Sequence, residues 1–149
     1  MPLNTTLVGK EYAPLELTVE RDHVVRFAKA IGEAATVFLD ADAARAAGYP
    51  EQLAPPTFVT TMQILASAQA AADPDLGLDY TRVVHGQQAY EWRRPVHVGD
   101  ALRAVPRIAE IKAKGPLEFL VVQSEITDAD GETVVIARTT LLSRGTSGG

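Results

Sequence analysis

Few side chains in this 149-residue chain could move a proton in a chemical step. One carboxylate among them is Glu33, just past a helical stretch in the loop Gly32-Glu33-Ala34-Ala35-Thr36-Val37-Phe38, where a solvated surface role is the default. The histidines are His23, His85 and His97. A carboxylate or an imidazole can draw a proton from water as a general base, or return one to carbon as a general acid. His85 lies in a segment of alternating polarity and is the strongest histidine candidate. As a strand residue it is expected to be hydrogen-bonded to backbone or packed at a subunit seam. His23, beside Asp22 in a helical stretch, and His97, before Gly99 in a turn, read as surface groups. No pair of histidines has the H-x-x-x-H spacing of a zinc helix, and no cysteine is present. A metal centre and a thiolate nucleophile are therefore not expected. The Ala- and Gly-rich stretches contain no phosphate-binding glycine loop. Arg93 and Arg94 could meet a phosphate group, although an ordinary surface role is the expectation for both.

These residues need elements to position them. Leu7–Tyr12 and Leu15–Val19 read as an opening strand and its return, parted by Pro14. A helix is predicted from near Glu20, with Val24, Val25, Phe27, Ala28 and Ile31 on one face and Gly32 as its stop. Asp40 can cap a short Ala-rich helix that ends at Gly48. A third helix is predicted to start at Ala54-Pro55-Pro56-Thr57, where proline costs little because a first-turn N–H has no helical partner. From Thr57 to Ala72 it carries no charge, so it is expected to be buried on most sides.

Beyond Asp73-Pro74 the period falls from 3.6 to 2. Strands are predicted over Val83–Arg94, Ala101–Ile111, Leu117–Thr127 and Thr133–Leu142. Pro106 marks a bulge or an edge position in the second of these. Asp130-Gly131 gives the last hairpin turn, and residues 143–149 read as a flexible tail. Helices followed by four antiparallel strands make an α+β fold.

Bulk properties narrow the function classes. A net charge of −5 and a pI near 5.1 argue against nucleic acid as a partner. No apolar run approaches the roughly 20 residues that span a membrane, and Met1–Thr6 lacks the pattern of a secretory signal. A cytoplasmic location is expected, and residues 1–149 are read as one domain.

Four segments carry a resemblance. They are Phe27-Ala28-Lys29-Ala30-Ile31-Gly32, Ala43-Ala44-Arg45-Ala46-Ala47-Gly48-Tyr49, Leu53-Ala54-Pro55-Pro56-Thr57-Phe58, and His85 to Pro95 closing on Val98-Gly99-Asp100. In this order and spacing the chain resembles the MaoC-like (R)-specific enoyl-thioester hydratases and (3R)-hydroxyacyl-thioester dehydratases, N-terminal type, from about Val8 to Arg144. The resemblance implies a hot-dog fold, a long central helix wrapped by a curved antiparallel sheet. It also implies a dimer, either with itself or with a related hot-dog subunit. The implied ligand is an acyl-CoA or acyl-carrier-protein thioester, with no cofactor.

The family's active-site loop runs Gly-Asp-x-Asn-Pro-aliphatic-His. Laid on this chain, its Asp falls on Glu33, its Asn on Ala35, its Pro on Thr36 and its catalytic His on Phe38. The family also offers a glycine N–H to the thioester oxygen at the start of the hot-dog helix. Here that position is Pro56, which has no N–H. Thr57 keeps one, and the helix start keeps its partial positive charge. Phe38, Pro56, Thr57 and Phe58 are thus the expected substrate-binding residues, and Glu33 and His85 the remaining catalytic candidates. The preferred expectation is a substrate-binding or stabilising subunit of a hydratase/dehydratase in fatty-acyl metabolism. Two alternatives stand beside it. One is a self-sufficient hydratase or acyl-CoA thioesterase using Glu33 or His85; the other is a ligand-binding homodimer without catalysis.

Overall fold

In the computed structural model, which describes residues 2–144, the period-two half of the chain forms an antiparallel sheet around one helix. The strands are β1 (Leu15–Thr18), β2 (Val83–Trp92), β3 (Ala101–Lys114), β4 (Leu117–Thr127) and β5 (Thr133–Arg144). Their order across the sheet is β1-β3-β4-β5-β2, which leaves β1 and β2 at the edges. The helices are α1 (Arg21–Ala30), α2 (Ala41–Ala46) and α3 (Thr60–Ala71), the last entered through a 3-10 turn over Pro56–Val59. Helix α3 lies against β3, β4 and β5. This is the curled sheet and central helix of a hot-dog fold.

Local chemistry explains the boundaries. The Asp40 carboxylate accepts the N–H groups of Asp42 and Ala43 and starts α2. Gly32, just past α1, has φ +73°, a left-handed conformation that glycine reaches without the strain of a side chain. Between β4 and β5, Asp128 accepts the N–H groups of Asp130 and Glu132, which closes the predicted turn. Pro106 is tolerated in β3 because it lies beyond the last β1 pair, Leu15 with Ala104. There its carbonyl takes the Tyr12 N–H, and no ladder donor is missed.

Several expectations need correction. Leu7–Tyr12 is not a strand: a 3-10 turn covers Thr5–Leu7, and one isolated bridge joins Glu11 to Arg107. Residues Leu15–Thr18 pair with β3 instead, because a partner much longer than the N-terminal strap is available. Ser143 and Arg144 belong to β5, with Ser143 buried, so the predicted tail loses its first two residues. The remainder of that tail, residues 145–149, lies outside the described residues. Helix α3 is buried on one side only. Met62, Gln63, Ala66, Ser67, Ala70 and Ala71 face the sheet, while Ile64 and Leu65 are 62% and 59% exposed. An uncharged helix was read as enclosed, yet five strands cover only the side they reach. His23 is half-buried, edge-on to Phe58 at 4.7 Å between ring centres, rather than free on the surface.

Two apolar clusters hold the layers together. One gathers α1, the Pro56–Val59 turn and the adjoining ends of the sheet around Val24, Phe58, Val59, Leu102 and Ile126. The other seals the far end of α3 with Leu3, Leu76, Ile108, Leu120 and Val122. Each fully buried side chain of this size contributes roughly 1.5–3 kcal/mol. The start of α3 and the loop beside it therefore rest on a rigid base.

Candidate functional site

The segment leading into α3 is tied to the loop Gly32–Phe38 by two hydrogen bonds and to the stretch after β2 by a third. The Leu53 N–H donates to the Val37 carbonyl at 2.9 Å, and the Ala54 N–H to the Val96 carbonyl at 2.8 Å. The fully buried Gln52 donates its amide N–H to the Phe38 carbonyl at 2.9 Å. A cleft of about 280 Å³ results, lined by Phe38, Tyr49, Leu53, Ala54, Pro56, Trp92, Arg94, Pro95 and Val96. Its walls are mainly apolar, and neither histidine nor carboxylate lines it.

Arg94 is the one cation at this cleft, and it is already engaged. Its guanidinium donates to both oxygens of Asp100 at 2.9 and 3.0 Å and to Asp128 at 3.1 Å. The bond to Asp100 above all, then that to Asp128, raises its pKa further and keeps it charged. Arg94 in turn holds the Asp128 carboxyl below the usual carboxylate range. The arrangement ties the end of β2 to the turn before β3 and to the β4–β5 hairpin. Arg93 pairs with Glu91 at 3.3 Å. His97 is not simply solvated: its Nδ1 lies 2.9 Å from the Val98 carbonyl, and its N–H donates to Asp100.

The predicted site residues divide into two groups. Phe38 and Pro56 line the same cleft. Thr57 is exposed next to Pro56 in a turn with no side-chain cap, and Phe58 is fully buried against His23 and Phe27. Glu33 is not among the cleft residues; its carboxylate accepts the Ala35 N–H at 3.0 Å, a local turn bond. His85 lies elsewhere, in a chamber of about 450 Å³ between α3 and β2. There it ends a hydrogen-bonded line. Gln63 donates to Thr139, Thr139 donates to Gln88, and Gln88 Oε1 lies 3.0 Å from His85 Nε2. Nothing in the structure brings Glu33 and His85 to one cavity.

Sequence reasoning missed three groups. Trp92 and Arg94 line the cleft, Arg94 although a surface role was the expectation for it. Gln52 clamps the loop, and no pattern around a lone glutamine signals that. Among the described residues, no group of three or more His, Asp or Glu side chains could hold a metal ion, and no helix is long and apolar enough to cross a membrane.

With this geometry established, comparison with known proteins places the chain. A family model for the FAS1-like dehydratase domain region matches residues 6–137. The chain belongs to this family. It is 45% identical over 148 residues to a UPF0336 protein of Saccharopolyspora erythraea, covering 99% of this chain and 95% of the relative. Its fold matches a chain of the C-terminally truncated HadBC (3R-hydroxyacyl-ACP dehydratase) complex of Mycobacterium tuberculosis, with a TM-score of 0.85 and 29% identity. That match covers 95% of this chain and all of the other. A MaoC-like dehydratase gives the same TM-score at 25% identity over 94% of this chain, which corresponds to 43% of that longer protein. The MaoC-like resemblance and the hot-dog fold both hold, and the chain is a member of the hydratase/dehydratase hot-dog family.

Proposed function

We propose that this chain is the substrate-binding, non-catalytic half of a two-subunit (R)-specific enoyl-thioester hydratase or 3-hydroxyacyl-thioester dehydratase. The observation that carries this reading is the shared cleft of Phe38 and Pro56 at the start of α3. Hydration adds hydroxide to the β carbon and a proton to the α carbon, so it needs a base, an acid and a donor for the thioester oxygen. Phe38 can exchange no proton, and Pro56 can donate no hydrogen bond. An apolar cleft can take up an acyl group, and among the described residues neither a histidine nor a carboxylate lines this one to transform it.

The missing groups would come from a related hot-dog subunit. Strand β2 is an edge strand, bonded only to β5 among the described strands. Beside it Ile64, Leu65, Tyr80 and Val84 are exposed. An open sheet edge flanked by apolar side chains favours strand pairing with another chain. The HadBC protein is itself a complex, which supports a heterodimer here. A self-sufficient hydratase or thioesterase would need Glu33 or His85 at the thioester, and neither lines the cleft. The test is reconstitution with a hot-dog subunit from the same genome that carries the intact Gly-Asp-x-Asn-Pro-x-His pattern. The two should co-purify and hydrate crotonyl-CoA together; turnover at enzymatic rates by this chain alone would overturn the reading.

A further inference from the structure

The cleft and the chamber are neighbours along β2 and share no lining residue. Along the helical side, Pro56 lines the cleft, while Thr60, Ile64 and Ser67 line the chamber. Thr60, Ile64 and Ser67 follow the four- and three-residue steps that share a helix face, and Pro56 lies in the 3-10 turn that leads into α3. Along β2, Trp92 lines the cleft and Gln88 the chamber. Tyr90 lies between them on the same strand face, since side chains two apart share a face and no register shift falls between Gln87 and Trp92. Pro56 and Trp92 thus mark the cleft, and Ile64 and Gln88 the chamber, on either side of Tyr90.

The Tyr90 hydroxyl is hydrogen-bonded to the Thr60 hydroxyl, between the residues that line the two spaces. The Tyr90 ring is in turn held by stacking on Trp92, with centres 5.6 Å apart and planes 29° from parallel. Tyr90 lines neither space. It stands as a bar between them, hydrogen-bonded to helix α3 and braced from within its own strand.

We infer that the Thr60–Tyr90 bridge is an acyl-chain-length gate, which holds the thioester's acyl group in the cleft and bars it from the chamber. The inference rests on the reading of the cleft as a thioester site. With the bridge closed, methylenes beyond those that fill the cleft find no further apolar wall, so affinity stops rising with chain length. With it open, a longer chain can enter the space beside Ile64, Val83 and Leu141. Each methylene newly buried there strengthens binding roughly fourfold.

The thioester carrier could be coenzyme A or an acyl-carrier protein, which share a pantetheine arm, so both form arms of the test. Butyryl, octanoyl and dodecanoyl thioesters on each carrier are titrated calorimetrically into the full chain in its solution assembly. The same is done for Tyr90→Ala, Tyr90→Phe and Thr60→Ala, with thermal melts confirming that each is folded. In the unaltered protein the affinity should level off by octanoyl. Tyr90→Ala should raise the dodecanoyl-to-butyryl affinity ratio by on the order of tenfold or more. Tyr90→Phe and Thr60→Ala break the bridge from its two sides and should move the ratio in the same direction by less. A ratio unchanged in every folded variant, with thioesters still bound, overturns the gate and leaves the thioester reading standing. Absence of thioester binding on either carrier at any length overturns both.

Discussion

Gln52 donates its side-chain amide to the Phe38 carbonyl at 2.9 Å from a position with no solvent exposure. Its other amide atom, Oε1, accepts from Arg21 at 3.2 Å. One buried side chain thus joins the loop of Phe38, the first turn of α1 and the segment that leads into Pro55-Pro56. The Phe38 backbone is held firmly, and its side chain cannot exchange a proton. Firm positioning without reactive groups is what a binding wall requires.

Removing that clamp should be costly. Gln52→Ala leaves the part-buried Phe38 carbonyl without this donor and is expected to destabilise the protein by about 1–3 kcal/mol. Urea unfolding monitored by circular dichroism measures this. A midpoint equal to that of the unaltered protein would show that the loop needs no such anchor.

A second clamp makes stability depend on pH. The Asp73 carboxylate, nearly buried after α3, accepts from Lys10 Nζ at 2.6 Å and from the Tyr12 hydroxyl at 2.8 Å. The Lys10 bond first, then Tyr12, holds its carboxyl below the usual carboxylate range. Burial first, then the Asp73 bond, pushes the Tyr12 phenol well above its usual value. A depressed acid contributes stability above its unfolded value, near pH 4, that is lost as pH falls through the folded value. A raised phenol contributes stability below about pH 10 that is lost as pH rises toward its folded value. Urea midpoints measured across pH should therefore decline on both flanks. Asp73→Asn should shallow both declines; if the two profiles run parallel, the clamp is not their source.

Gly86 sits at the bulge of β2 between His85 and Gln87. A β carbon there would lie 1.8 Å from Leu142 Cδ1. Gly86→Ala is expected to cost about 1–3 kcal/mol. Most of that cost should vanish in a Leu142→Ala background, because the obstructing atom is the movable end of a side chain. Equal losses in both backgrounds, read from chemical denaturation, would place the strain in the backbone instead.

The exposed face of α3 makes an oligomer prediction. Aspartate at Ile64 or Leu65 puts a charge where an apolar partner surface is expected. Light scattering should show weakened association, either with itself or with the reconstituted partner, and unchanged far-UV circular dichroism. An undiminished assembly would mean that subunits join elsewhere.

Much of this architecture was legible from pattern. The helix over Arg21–Ala30 followed from its apolar face, and the strand over Leu117–Thr127 from alternation bounded by turn residues. The Leu7–Tyr12 segment misled because its composition suits a strand, while pairing depends on which edge is free. The absence of charge in α3 signalled apolar surroundings but could not say that Ile64 and Leu65 lie on an open side. At the site, Phe38 and Pro56 were readable as candidates because both fall in recognisable segments, and both line one cleft. The roles of Gln52, Tyr90 and Trp92 were not readable, since each depends on contacts across distant parts of the chain.

The central claim is that proton transfer belongs to the partner. Its most direct test is the crotonyl-CoA hydration rate of the reconstituted pair when acid–base groups are removed from one subunit at a time. Glu33→Ala together with His85→Ala in this chain should leave the rate within about twofold, whereas alanine at the histidine of the partner's motif should lower it by about 10²–10⁴-fold. A large loss from the changes in this chain, with the partner's histidine dispensable, would contradict the account.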